Sequence, residues 1–219
     1  MKRPPPIKYQ PGPHLITSRR TFLLGTAATL GMTVVSTPLL SMAASLASPV
    51  RQETLSLCRI VYDPRHPASA RFGAQSEQAG HATHAMRGDV TELWTEYLAE
   101  QWRKQPVAIA GMTHADALFV LERLGWDHGL RVTFRAEHRV QANGITTHSI
   151  AGPESMLASC AALAAQRYEW ADCMAGVVRY PPRQAILLAE RSLAMPGNYP
   201  TDSARPLYTW VITPHHRIV

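Results

Sequence analysis

The stretch that decides the fold is "VAIAGMTHADALFVLERLGWDHGLRVTFRAEH", Val107–His138. Its first five residues, Val107–Gly111, are apolar, follow Pro106 and end in Gly, which predicts a short buried strand. Thr113–Gly129 opens with Thr-x-x-Asp, repeats Leu at 118, 121 and 124, and closes on Gly, which predicts a helix. Leu130–His138 is again rich in apolar and β-branched residues and predicts a second strand. Strand, helix and strand joined by short connections make a βαβ unit, whose strands run in the same direction.

The same alternation precedes it. Leu57–Asp63 predicts a strand, and Pro67–Gly80 a helix with Pro at its start and Gly at its end. His81–Met86 predicts a weaker strand. Asp89–Lys104 predicts a helix, with Val90, Leu93, Trp94, Tyr97, Leu98 and Trp102 at helical spacing. The expectation is an α/β three-layer sandwich with a mostly parallel sheet, flavodoxin-like or Rossmann-like. Beyond His138, Asn143-Gly144 signals a hairpin. Gly152–Gly176 and Gln184–Met195 predict helices, and Leu207–Thr213 predicts a last strand joining the sheet.

The formal net charge of +6 belongs to the N-terminal segment. Residues 1–50 hold five of the 22 basic residues and no acidic one, which leaves 17 basic against 16 acidic residues in the rest. No basic stripe with interleaved aromatics remains there, so the composition argues against nucleic-acid binding. Thr21–Val50 is uncharged and rich in Leu, Ala, Met and Val, and it ends in small residues. This is the layout of a secretory signal, with a small-x-small cleavage site at Ser45-Leu46-Ala47. Gly25, Gly31, Pro38 and several hydroxyls weaken it as a membrane anchor.

"SRRTFLL", Ser18–Leu24, resembles the twin-arginine translocation motif, with Arg19-Arg20 as the pair read by a receptor and Leu24 where a lysine is common. The resemblance implies export of a chain already folded in the cytoplasm. It implies a signal peptide over 1–47 cleaved near Ala47, a periplasmic location for the rest and no stable anchor after cleavage. The single α/β domain expected over 48–219 comes from the strand–helix alternation, and the resemblance says nothing of the fold. Its implied partners are the translocation machinery and a co-exported redox-enzyme subunit. The sequence itself assigns no cofactor. Cys58, Cys160 and Cys173 form no C-x-x-C, no haem-attachment motif and no four-cysteine cluster.

In open parallel sheets ligands bind outside the carboxyl ends of the strands. The predicted strands would bring Asp63, Arg65, His66, Arg87, Thr113, His114, Glu137 and His138 to that edge. Asp89 and Thr113 also read as helix caps, and the arginines as partners of neighbouring carboxylates. Three site chemistries fit this collection. Gly111 and the free N–H groups after it suit an anion, although no dinucleotide or P-loop pattern is present. His66, His114 and His138 with the carboxylates are of metal-ligating type, without a local metal-binding spacing. Hydrolysis by a Ser/His/Asp set lacks a nucleophile elbow.

Two functional classes follow. The favoured one is a non-catalytic exported protein, either an accessory subunit of a larger redox enzyme or a small-ligand binder. The alternative is a small enzyme, metal-assisted in one form, that uses the histidine and carboxylate crevice.

Overall fold

Successive residues of strand β1 (Leu57–Tyr62) enter two different cores: Ile60 is buried in one hydrophobic cluster and Val61 in another. The period of two along a strand makes this the signature of a sheet covered on both faces. The computed structural model describes residues 53–141, 143, 145–165, 169–183, 188–196 and 205–215. Residues 1–52, with Arg19, Arg20 and Ala47, lie outside them, as does Gly144.

The other strands are β2 (Thr83–Ala85), β3 (Ala108–His114), β4 (Leu130–Val140), β5 (Ile145–Pro153), β6 (Leu188–Pro196) and β7 (Leu207–Pro214). Together they form one seven-stranded sheet in the order β2-β1-β3-β7-β4-β5-β6. Helices α1 (Pro67–Gln78), α5 (Glu154–Ala165) and α6 (Trp170–Val178) supply buried residues to the core that contains Ile60. Helices α2 (Thr91–Leu93), α3 (Ala99–Lys104) and α4 (Ala115–Asp127) supply the core that contains Val61. Between α2 and α3 the backbone passes through a π-helical turn, Trp94–Leu98. No helix among the described residues is long and apolar enough to cross a membrane.

The α/β class stands, but the sheet is mixed and not mostly parallel. Among the described residues only β1–β2 and β1–β3 pair in parallel, whereas β3–β7, β7–β4, β4–β5 and β5–β6 are antiparallel. The βαβ unit of β3, α4 and β4 exists, yet its strands are not neighbours, because β7 runs antiparallel between them. Strand β7 is buried from Thr209 to Thr213, a doubly covered run that belongs at the centre of a sheet.

Two helix expectations also change. Within Gly152–Gly176, β5 continues to Pro153, α5 ends at Ala165 and α6 starts at Trp170 after Glu169 in extended geometry. Gln184–Met195 contains strand β6 in place of a helix, because Leu188–Pro196 pairs along its whole length with β5.

Register places the site. Tyr62 pairs with Met112 and His114 with Leu207, so the end of β1, the end of β3 and the start of β7 reach the same edge. The β2 end joins them through the Met86 N–H, which donates to the Tyr62 carbonyl.

Candidate functional site at the carboxyl edge

Asp63 leaves β1 at this edge and is buried. Its amide donates to Ser69 Oγ (2.8 Å), and Ser69 Oγ in turn donates to the Met112 carbonyl (2.6 Å), which ties the loop to β3. Its carboxylate accepts the Arg65 amide (3.0 Å), Arg65 Nε (2.9 Å) and Arg65 Nη2 (2.6 Å). Burial pushes the Asp63 carboxyl up, but these bonds and the Arg65 charge outweigh it and hold the pKa below the ordinary value. The Arg65 guanidinium lies against Gly88, which has a φ of +85° and no room for a Cβ on that side. The positive φ at 88 favours glycine, and any side chain there would also displace the Arg65 guanidinium.

His66 and His114 meet edge to face, with ring centroids 4.2 Å apart. His114 donates Nδ1–H to the Pro206 carbonyl (3.0 Å), which fixes its ring and turns Nε2 away from that bond. His66 Nε2 lies 3.7 Å from Asp63 Oδ2. Burial, followed by the neighbouring His114, lowers the His66 pKa. Asp116 on the first turn of α4 accepts the Ala117 N–H (3.1 Å) and Arg205 Nη2 (3.1 Å). Asp89 accepts the Thr91 N–H (2.9 Å) and shapes the entry to α2.

These groups surround a pocket of about 380 Å³, lined among others by Asp63, Arg65, Arg87, His114, Asp116 and Arg205. Five of the eight residues expected at the edge come together: Asp63, Arg65, Arg87 and His114 line the pocket, and His66 packs against His114 beside it. Asp89, Asp116 and Arg205 complete the group. Arg205 precedes β7, and no local pattern marks it; only the central placement of that strand brings it here.

The other three lie elsewhere. Thr113 is a buried residue of β3, where its hydroxyl accepts the Trp210 indole N–H (3.0 Å), so it does not cap α4. Glu137 and His138 are strand residues because β4 continues to Val140, and β7 separates them from β3. At about 4.8 Å per strand, that puts His138 roughly 10 Å from His114 along the sheet. Glu137 faces Tyr208 across the strand pair and forms an ion pair with Arg139. His138 is buried with His148 beneath Trp170, with ring centroids 4.5 Å apart between His138 and Trp170. Gly111 is covered by Trp210 and offers no approach to a ligand. No group of three or more His, Cys, Asp or Glu with metal-holding geometry occurs among the described residues.

In comparisons with known proteins the chain matches no family model, no curated sequence and no solved structure. The chemistry of this edge therefore rests on its own residues.

Proposed function

We propose that the chain is an exported, non-catalytic protein that binds a small ligand at the carboxyl edge of β1, β2 and β3. One observation carries this reading: four separate chain segments deliver Arg65, Arg87, His114 and Arg205 to a single pocket of about 380 Å³, a size suited to a small molecule. The described lining holds charge and hydrogen-bonding groups but no Ser, Thr or Cys, which favours holding a ligand over covalent attack upon it. The twin-arginine resemblance supports the exported half of the reading.

The test is native mass spectrometry of the protein purified from the periplasm of an exporting cell. The expected result is a small-molecule adduct that survives desalting and is depleted in Arg87→Ala and His114→Ala variants of unchanged thermal stability. An adduct-free protein that also gains no stability from any member of a metabolite panel would sink the proposal.

A second reading, a small enzyme working in the same crevice, rests on His66. Its lowered pKa keeps the resting ring neutral, and its Nε2 lies 3.7 Å from Asp63 Oδ2, close enough to stabilise the charge of a ring that takes up a proton. Turnover lost in His66→Gln while ligand binding persists would favour it.

A further inference from the structure

Against the polar pocket lies a second hollow of about 410 Å³ between α2 and α4. The two share Gly88, Asp89, Asp116 and Ala117, so they adjoin along that rim. The second hollow is walled by apolar groups: Val90 and Trp94 on one side, Val120 and Leu124 on the other. Trp94 is braced from behind by Trp102 and His128, with ring centroids 6.1 Å and 5.7 Å away. It is also the first residue of the π-helical turn, where the backbone departs from α geometry. Such turns re-aim side chains and recur at functional positions. Val120 is 42% exposed, so this wall is open to solvent.

The charges around the shared rim are nearly all committed. Asp63 is bonded by Arg65, Asp89 by the Thr91 N–H, and Asp116 by the Ala117 N–H and Arg205. Arg87 is the exception. It is exposed and has no hydrogen-bond or ion-pair partner among the described residues. The Thr91 N–H that bonds Asp89 is neutral, so Asp89 keeps its charge. What distinguishes Arg87 is that, among the described residues, it is the one guanidinium of the rim that no carboxylate engages, and it suits a ligand with a single negative charge. A dianion would meet the same carboxylates without a second free cation to balance it.

We infer that the ligand is an amphiphilic monoanion, a carboxylate with a medium-length aliphatic or aryl tail. Its head pairs with Arg87 in a forked contact and its tail lies along Trp94, Val120 and Leu124. This inference rests on the small-ligand reading above and narrows it to a class.

Isothermal titration of the mature protein with octanoate, acetate and octylamine tests it, because these probes carry head and tail, head alone, and tail with the opposite charge. Octanoate should bind saturably at one site, and acetate and octylamine at least roughly tenfold more weakly. Arg87→Gln and Val120→Glu, both at exposed positions, should each weaken octanoate by roughly tenfold or more with the melting temperature unchanged. Equal affinity for acetate and octanoate would overturn the amphiphile while leaving a small-anion binder standing. Octanoate binding that neither variant alters would place the ligand elsewhere and overturn the inference. Absence of saturable octanoate binding would also overturn it, whereas the fate of the broader reading is decided by the native-mass adduct.

Discussion

His138 Nδ1 and His148 Nδ1 lie 2.6 Å apart in the core, so one proton must sit between two buried imidazoles. His138 Nε2 reaches Thr209 Oγ1 at 2.7 Å, and His148 Nε2 is buried with no hydrogen-bond partner. The arrangement that leaves no orphan donor has His148 Nδ1–H donating to His138 Nδ1 and His138 Nε2–H donating to Thr209. Both rings are then neutral, and a further proton would have to enter a space already filled.

Acid sensitivity follows from that pair. Burial, and for His138 also the neighbouring His148, lowers the pKa of His138 well below the ordinary histidine value, and burial brings His148 to about 4. The unfolded chain takes up these protons near the ordinary value of 6.5, so between the two pKa values it binds more protons than the folded chain. Stability is therefore full above that range and falls as pH drops through it. The limiting slope is about 1.4 kcal/mol per pH unit for each histidine. Urea midpoints measured across this range should show the fall, and His148→Gln should flatten it by about one proton. A His148→Gln variant with the wild-type pH profile would refute the assignment.

At the centre of the sheet, Gly111 pairs with Trp210, whose indole covers it. A Cβ at 111 would meet Trp210 Cζ2 at 2.5 Å and the Val61 carbonyl at 2.6 Å. Neither a central strand backbone nor an indole bonded to Thr113 can give way cheaply. Gly111→Ala should cost about 1–3 kcal/mol in chemical denaturation, the range for overpacking a close-packed core. A neutral result would show that Trp210 repacks freely.

The extent to which the sequence revealed this architecture follows the locality of each signal. α1 was legible because Pro67 and Gly80 bracket it, and Gly80 has a φ of +86°. The β4–β5 hairpin was legible because Asn143 supplies its turn, with Asn143 Oδ1 accepting the Ile145 N–H. Strand order was not legible, because no residue of α4 states whether its two strands will touch. The position of β7 was settled by packing on both faces, as the burial of Trp210, Val211 and Ile212 records. The same insertion brings Arg205 to the pocket and keeps Glu137 and His138 out of it. Gln184–Met195 misleads for another reason: its Leu and Ala content favours a helix, and pairing with β5 overrides that propensity from Leu188 onward.

The break between α5 and α6 changes what the cysteines can do. On one unbroken helix, the 13 residues from Cys160 to Cys173 would span about 20 Å, too far to bridge. On two helices both thiols enter the same core, and all three cysteines are free. Burial pushes Cys160 up to about 12 and Cys173 up to about 11, so neither is a thiolate under ordinary conditions. Cys58 is partly exposed. Brief iodoacetamide treatment of the native protein at about pH 8 should label Cys58 alone, and treatment in denaturant should label all three. Native labelling of Cys160 or Cys173 at the rate of Cys58 would mean that α5 and α6 open readily from the sheet.

The proposed export rests on the resemblance of Arg19-Arg20 to a twin-arginine pair. A translocation receptor that recognises the pair reads planar, forked guanidinium groups, which a lysine ammonium does not reproduce. Charge alone would also serve a general secretory signal, whose basic region tolerates lysine. Replacing both residues by Lys conserves the charge of the leader and so separates the two routes. The expected outcome is unprocessed precursor retained in the cytoplasmic fraction, while the wild-type chain appears in the periplasm shortened at Ala47. Normal processing of the double-lysine variant would assign the chain to the general route. Because that route passes unfolded chains, it would also remove the expectation of a co-exported redox-enzyme subunit.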